Sequence, residues 1–488
     1  MKKCAISPLQ ADFLSNGRMW EQQKQWSQAI DAYLNARREV LPNPDDLEEV
    51  LDCAVQIARK HCPKRYAETV TEVTQRLREV GRHATAAEIL READELEAAV
   101  ACAMEGEAWP KARELAQGHR VLEERVEAAY RGALTQASDT DGLLELGHTS
   151  AALDVLAQRK DWERLWEMAS REHVPPATAA KYAALQVNTL LEDAGPTASG
   201  AAHGRACEEA VKTLAKHGAP TPSAGAGLAL YKNLVKTLLG SSKKQEAEFE
   251  DYAGAVAALR EVLFGVMSNA PDQLGPGSGS DFEPLLLMTH YSHLLNVCQA
   301  EGGALADLAC KVAVTLLRYG SVLPIDKLFH TAGSICQKQG HENLAFVLLN
   351  RYVDLTEAIE EGDAGLIDNS DFADVDHISA DFELPPKQYL SDEDEREEVR
   401  DWVLSVCMDA KIEQQLPPAA QAQGTIYAGL YAAESGCQTC MVTGYPVQKW
   451  EAREISGITA NKQDWNTYVR KTKLDPWTGE SQVPSASS

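Results

Sequence analysis

The chain has 488 residues, of which 44% are hydrophobic and only 6% aromatic. Its 47 lysines and arginines are outnumbered by 73 aspartates and glutamates, so the formal net charge is −26. So acidic a surface repels nucleic acid and anionic lipid at long range, and the sequence has no apolar run of about 18 residues. We therefore expect basic protein partners, no nucleic acid and no membrane insertion. The 11 cysteines are odd in number and irregularly spaced, which indicates reduced thiols.

Residues 1–355 are predicted to form successive helices joined by short turns. A glycine precedes an alanine-rich phrase three times, and a related phrase without glycine follows later; these turns begin at Gly81, Gly106, Gly147 and Lys160. Small alanines let paired helices approach closely, and the phrases resemble tetratricopeptide repeats (TPR). We predict a mainly α fold, a TPR-like α-solenoid of helical hairpins, against the alternative of an irregular helical domain. Three Gly/Pro/Ser-rich stretches, 193–206, 217–227 and 268–280, are expected to be loops.

An acidic linker is predicted to follow the helices over residues 356–391. Residues 357–401 hold 17 acidic side chains against three basic ones, a net charge of −14. A connecting segment over 392–422 contains a helix expected from Asp392 to Gln415, whose acidic start suits the helix dipole. A second short helix is expected from Ile426 to Ala433.

The last segment, residues 423–488, contains a possible zinc motif, Cys437-x-x-Cys440. A structural zinc site needs four ligands, and no cysteine or histidine follows Cys440. We therefore favour two free cysteines in a turn, with no metal and no cofactor.

The order of elements in this segment nevertheless resembles a U-box, the zinc-free relative of the RING domain. The first loop is Cys440–Gly444, and a β-hairpin is expected from Pro446 to Glu454. A Ser456–Thr459 turn, a central helix over Asn461–Lys471 and a second loop over Asp475–Thr478 complete the order. The segment is therefore predicted to be a small α+β, U-box-like domain.

Without a metal, polar side chains and aromatic packing must hold the two loops. The residues able to supply polar contacts are Thr443, Thr459, Asp464, Asp475 and Thr478. The resemblance implies a shallow groove for a ubiquitin-conjugating enzyme or for ubiquitin, formed by Val442, Trp465, Tyr468 and Pro476. The alternative is that Trp465 and Tyr468 are simply core residues.

Two functions of different classes remain open for this domain. One is a non-enzymatic docking module or ubiquitin reader, and the other is a U-box-type ubiquitin ligase. Met441 replaces the proline that is usual in the first loop, and Gly479 replaces the cation that often follows the second-loop threonine. These departures favour the docking module, with no catalytic residues.

Several unusual strings resemble the C-terminal region of the largest subunit of the intraflagellar transport B complex: Ile367-Asp368-Asn369, Lys387-Gln388-Tyr389-Leu390, Thr443-Gly444-Tyr445-Pro446 and Asn461-Lys462. That family has N-terminal β-propellers, which this sequence lacks, so we expect a C-terminal portion. The resemblance implies a scaffold of ciliary cargo trains, involved in train assembly and turnaround at the ciliary tip. The expected partners are other subunits of the A and B complexes. The expected location is the cilium or flagellum, the ciliary base and the cytoplasm.

Overall fold

The computed structural model describes residues 8–39, 41, 43–194, 200–222, 225–368, 370–372, 375, 378, 382–409, 411–431, 438–447, 452–455 and 458–484. The chain divides into two compact units, Met1–Met168 and Ala169–Ser488. Among the helices described, none combines the length and the apolarity needed to cross a bilayer.

The first unit is a succession of helices: α1 (Pro8–Gln22), α2 (Trp26–Leu34), α3 (Pro44–His61), α4 (Pro63–Glu79), α5 (His83–Glu92), α6 (Leu96–Glu105), α7 (Trp109–Ala116), α8 (Arg120–Ala137), α9 (Thr140–Glu145) and α10 (Thr149–Gln158). Each of these helices contacts the next one along the chain, and α1–α3, α6–α8 and α8–α10 also touch. Contacts between sequence neighbours are typical of stacked hairpins. The predicted α-solenoid is confirmed. Helix α11 (Trp162–Arg171) spans the sequence boundary between the units.

Most helices of this unit end in a repeated turn. After α4, Gly81 has a φ of +77°, and its N–H donates to Arg78 O at 3.0 Å. The next N–H, that of Arg82, donates to Leu77 O at 2.8 Å. These two bonds form a Schellman closure, which satisfies the last helix carbonyls. The same turn recurs with a non-glycine residue at positive φ, for example Lys160 at +57°, which explains the phrase without glycine.

Small side chains fill the spaces between these helices. Ala86 and Ala87 of α5, Ala99 and Ala103 of α6 and Ala112 of α7 are all fully buried. An alanine exposes no polar group and occupies little volume, so neighbouring helix backbones can come close. The predicted role of the alanines is thus visible in the core.

The helical part of the second unit consists of α12 (Pro176–Ala194), α13 (Gly200–His217), α14 (Gly225–Leu239), α15 (Lys243–Ala247), α16 (Tyr252–Ser268), α17 (Pro271–Leu274), α18 (Glu283–Glu301), α19 (Ala306–Leu316), α20 (Ile325–Lys338) and α21 (Glu342–Glu361). Short 3-10 turns lie at Gly303–Leu305, Leu317–Tyr319, Ala364–Leu366 and Ser370–Phe372. The predicted loops are too long, because α13 and α14 begin inside two of them and α17 lies in the third. Glycine and proline are tolerated at helix starts, so these residues do not exclude a helix.

The segment after α21 runs along the second unit. Residues 382–391, which we call the strap, contain no regular helix or strand in the structure. Helix α22 (Glu393–Cys407) follows, with Asp392 Oδ1 accepting the N–H of Asp394 at 3.1 Å. The prediction that this helix reaches Gln415 is wrong. It ends at Cys407, because the side chain of Asp409 accepts the N–H of Lys411 at 3.0 Å and stabilises a turn instead.

Helix α23 (Ala419–Ala422) and a 3-10 helix, Ile426–Tyr431, lead towards the C-terminus. The predicted short helix from Ile426 is a 3-10 helix, and residues 432–437, including Cys437, lie outside the described part. We call the described residues 438–447, 452–455 and 458–484 the terminal lobe.

The terminal lobe combines one hairpin with one helix. Strand β1 (Ala452–Ile455) pairs antiparallel with β2 (Ile458–Asn461), with Arg453 opposite Ala460. Helix α24 (Lys462–Thr472) follows directly and agrees with the predicted central helix. The hairpin lies later than predicted, because Ile458 and Thr459, expected in a turn, are β-branched residues that fit a strand. Residues 448–451 of the predicted hairpin, and Ser456 and Gly457 of the predicted turn, lie outside the described residues. The predicted mainly α fold with a small α+β end is confirmed.

Candidate functional site

The first loop of the terminal lobe is a closed turn. Gly444 N–H donates to Cys440 O at 2.6 Å, and Cys440 N–H donates to Tyr445 O at 2.7 Å. Gly444 has a φ of +70°, which a residue with a Cβ rarely adopts. The Cys440 thiol is buried, which raises its pKa, and its Sγ accepts the N–H of Asn461 at 3.2 Å. The thiol therefore belongs to the lobe interior.

The second loop is organised by one carboxylate. Asp475 Oδ1 accepts the N–H groups of Trp477 at 2.9 Å and Thr478 at 3.0 Å. Its Oδ2 accepts Trp465 Nε1–H at 3.3 Å, which joins the loop to α24. Asp475 is only 3% exposed, so these bonds compensate for its burial.

Asp464 connects the first loop to the helices of the same unit. Its Oδ2 accepts the Thr443 hydroxyl at 3.2 Å, and its Oδ1 accepts Lys311 Nζ of α19 at 2.8 Å. The other two residues considered for polar contacts, Thr459 and Thr478, make hydrogen bonds within the lobe. Thr459 pairs with Gln438 at 3.0 Å, and the Thr478 hydroxyl accepts the N–H of Glu480 at 3.3 Å.

The four candidate groove residues, Val442, Trp465, Tyr468 and Pro476, are all buried. Trp465 and Pro476 line one narrow cleft, whereas Val442 and Tyr468 do not. The first-loop residue at this cleft is Met441, and Trp477 lines it as well. The structure therefore brings two of the four groove candidates together, in a cleft also lined by four residues outside the predicted site: Met441, Ile458, Ala460 and Trp477.

The helices α16, α18 and α19 donate hydrogen bonds to backbone carbonyls of both loops. His290 donates to Met441 O at 3.1 Å, Tyr291 to Cys440 O at 3.3 Å and Thr315 to Thr443 O at 2.6 Å. Arg260 donates to Trp477 O in the second loop. These four donors, all buried, form what we call the docking set.

Aromatic contacts surround the second-loop end of this surface. The ring of Trp477 lies edge-on to Phe264 at 5.4 Å and to His290 at 5.0 Å between centroids. The guanidinium of Arg260 lies 4.7 Å from the Phe264 ring. Burial, together with the nearby Arg260 charge, holds the pKa of His290 well below its usual range. His290 is therefore neutral, with the hydrogen on Nε2 donated to Met441 O.

Sequence reasoning missed the docking set because its members lie within apolar helical patterns. Arg260 of α16 lies between Leu259 and Glu261, and His290 of α18 lies two residues after the apolar run Leu285–Met288. A buried polar side chain requires a hydrogen-bond partner. A polar residue within an apolar helical pattern therefore indicates that a partner exists, but the sequence does not identify it.

These features define a class: a helical-repeat protein with a compact α+β lobe docked on the helices of its own unit. No family model matches the chain. The chain is 33% identical over 468 residues to the intraflagellar transport protein 172 homolog of Mus musculus, covering 94% of this chain and 25% of that protein.

Two more distant relatives carry the same kind of name. Intraflagellar transport protein 172 of Chlamydomonas reinhardtii is 29% identical over 493 residues, covering 96% of this chain and 26% of that protein. Intraflagellar transport protein osm-1 of Caenorhabditis elegans is 25% identical over 466 residues, covering 94% and 25%. The chain spans about a quarter of the length of these relatives. It is thus related, along nearly its whole length, to a C-terminal region of intraflagellar transport proteins, and the expected resemblance is confirmed.

Proposed function

We propose that the chain is a non-enzymatic scaffold of intraflagellar transport trains. It contacts other subunits of the A and B complexes, takes part in train assembly and turnaround at the ciliary tip, and is located in the cilium and at its base. The relatives, named for intraflagellar transport, support this role. Stacked hairpins offer extended surfaces suited to protein contacts, and a surface of net charge −26 favours basic partners.

The observation that carries this proposal is the docking set. Four side chains from three helices donate hydrogen bonds to loop carbonyls of the terminal lobe, and Lys311 forms an ion pair with Asp464. A lobe held by so many buried bonds is part of a rigid surface, as a scaffold requires.

Expression of the tagged chain in ciliated cells tests the scaffold. The chain is expected in cilia and is expected to co-purify with other transport subunits after gentle lysis. A variant with Thr315→Val and Lys311→Met weakens the attachment of the lobe to α19. It is expected to co-purify with fewer of the transport subunits. Uniform cytoplasmic distribution without any co-purifying transport subunit would contradict the proposal.

A second candidate function is binding of ubiquitin or of a ubiquitin-conjugating enzyme, with a U-box-type ligase as its active form. The cleft lined by Met441, Trp465 and Pro476 lies between the two loops and supports this candidate. On the first-loop side, the cleft is next to backbone carbonyls that accept hydrogen bonds from the docking set. We infer that a partner using both loops would have to displace contacts of α18 and α19.

The chain mixed with ubiquitin, the activating enzyme and a panel of conjugating enzymes tests this candidate. Ubiquitin chains that depend on Pro476 would favour the ligase, and binding without discharge would favour the reader. The matched control for Pro476→Ala is Pro484→Ala, because Pro484 does not line the cleft. If neither ubiquitin binding nor discharge were observed, the remaining role of the lobe would be that of a docking module in the scaffold.

A further inference from the structure

A second, much larger cleft lies in the helical part of the second unit. Its volume is about 1070 Å³, and α12 to α15, the end of α21, the strap and the start of α22 form its walls. A single phosphate or carboxylate would occupy only a small fraction of this volume. The volume is at the upper end of those usual for small-molecule sites.

One wall of the cleft, the strap, is anchored at Tyr389. Its N–H donates to Asp326 Oδ2 at 2.6 Å, and its carbonyl accepts the N–H of Lys243 at 3.2 Å. Its hydroxyl donates to Glu246 Oε2 at 3.0 Å. These contacts fix the strap against α15 and α20.

Cationic side chains from four separate elements line this cleft: Lys236 of α14, Lys244 of α15, Lys387 of the strap and Arg396 of α22. Within the described part of the chain, the ammonium groups of the three lysines have no hydrogen-bond or ion-pair partner. Arg396 bonds Gln388 and lies 3.6 Å from Glu360.

Two acidic residues, Glu248 and Glu360, also line the cleft. Glu360 is engaged by Gln388 at 2.9 Å as well as by Arg396. Cations therefore outnumber acids at the cleft by four to two, in a chain whose acids outnumber its cations by 73 to 47.

We propose that this cleft binds an extended, acidic peptide segment of a partner protein. The cations come from four elements along a long cleft, so carboxylates spaced along a peptide can each meet one of them. The net charge of −26 opposes a large polyanion such as nucleic acid or an anionic membrane, whose charge extends far beyond the cleft. A short segment avoids that repulsion because screening limits the repulsion to about 8–10 Å.

The proposal is tested on the full chain by fluorescence anisotropy with a labelled peptide of about ten glutamates, at about 50 and 150 mM salt. A peptide of glutamines of equal length serves as the uncharged probe. Binding of the glutamate peptide alone is expected, and it should weaken with salt. Lys236→Glu with Lys387→Glu is expected to weaken binding at least about tenfold.

The matched control is Lys216→Glu with Lys338→Glu, which changes the net charge equally at exposed positions outside the cleft. It is expected to reduce binding by less than about threefold, because only the long-range field changes. Equal losses in the two double variants, or no binding of the glutamate peptide, would overturn the proposal. Preferential binding of a single-stranded oligonucleotide or of anionic vesicles at the same lysines would also overturn it. None of these results depends on the role of the terminal lobe.

Discussion

Gly444 lets the first loop of the terminal lobe lie directly against α19. A Cβ at this position would overlap the Thr315 methyl group, and the backbone also has positive φ. Gly479 in the second loop has nearly the same φ, +72°, but its Cβ would have no neighbour within 4 Å. A substitution at Gly479 therefore tests backbone strain alone, whereas one at Gly444 tests backbone strain together with the close approach to Thr315.

We expect Gly479→Ala to cost about 1–2 kcal/mol through strain alone. Gly444→Ala should cost at least about 1–3 kcal/mol more, because the loop must also move away from Thr315. Chemical denaturation followed by tryptophan fluorescence measures the difference. Equal costs would show that the loop does not contact α19 in solution.

His290 makes the docked first loop sensitive to acid. Its pKa is held well below the usual range in the folded protein, while in the unfolded chain it is about 6.5. Below that pH the unfolded state binds a proton that the folded state does not, so stability decreases as pH falls. Below that pH, His290 lowers the free energy of unfolding by up to about 1.4 kcal/mol per pH unit.

Hydrogen exchange at the Met441 amide, which donates to Thr459 O at 3.0 Å, reports this effect. We expect its protection to decrease between about pH 6.5 and 5.5, and less so in His290→Gln, which does not titrate. The neighbouring His293 also has a lowered pKa and titrates in both proteins, so the comparison isolates His290. Identical pH dependence in the two proteins would rule out His290 as the cause.

The elements were predictable to different degrees. The helical hairpins follow from local patterns, because the Schellman turns and the buried alanines involve residues close in sequence. The helix α24 also followed from its apolar face. The end of α22 and the place of the hairpin did not, since side-chain turns at Asp409 and strand pairing at Ile458 depend on single contacts.

The strap depends on one partly buried lysine of α20, Lys327, whose side chain is 13% exposed. Lys327 donates to Ser241 O at 3.0 Å and to Glu246, and its ammonium lies 5.5 Å from the Tyr389 ring. Glu246 in turn accepts the Tyr389 hydroxyl. Removing the lysine would leave Glu246 Oε1 and the carbonyls of Leu239 and Ser241 without this donor.

Lys327→Met should therefore reduce the protection of the Tyr389 amide against hydrogen exchange by about 2–3 kcal/mol. Lys243→Met is the control, because Lys243 pairs with Glu395 at the surface, where a salt bridge contributes less than about 1 kcal/mol. If both variants left the Tyr389 amide equally protected, the strap would be held by other contacts.

At the scale of the whole chain, the docked lobe joins segments that are far apart in sequence. The Thr315–Thr443 bond spans 128 residues and the Arg260–Trp477 bond spans 217. Periodicity and motif spacing report neighbours in sequence, so neither could predict these pairs. The sequence therefore predicted a small α+β end of the chain, but not the surface of the second unit on which it rests.

This arrangement predicts the result of removing the lobe. A chain ending at residue 431, which keeps the 3-10 helix Ile426–Tyr431, would leave Arg260 and His290 without their carbonyl partners and would uncover Phe264. Each unsatisfied buried polar group costs about 1–3 kcal/mol, so α16, α18 and α19 should lose stability. A chain ending at Pro484, which retains the docked lobe, is the control.

We expect faster hydrogen exchange in α16, α18 and α19 of the chain ending at residue 431, with α3 to α7 of the first unit unchanged. The first unit has its own core, in which Val50, Leu51 and Val73 are buried, so its protection should not depend on the lobe. Unchanged protection in α18 would mean that the lobe is attached without stabilising the helices. A lobe that stabilises three helices is a structural part of the scaffold, and a partner that displaced it would have to supply equivalent contacts.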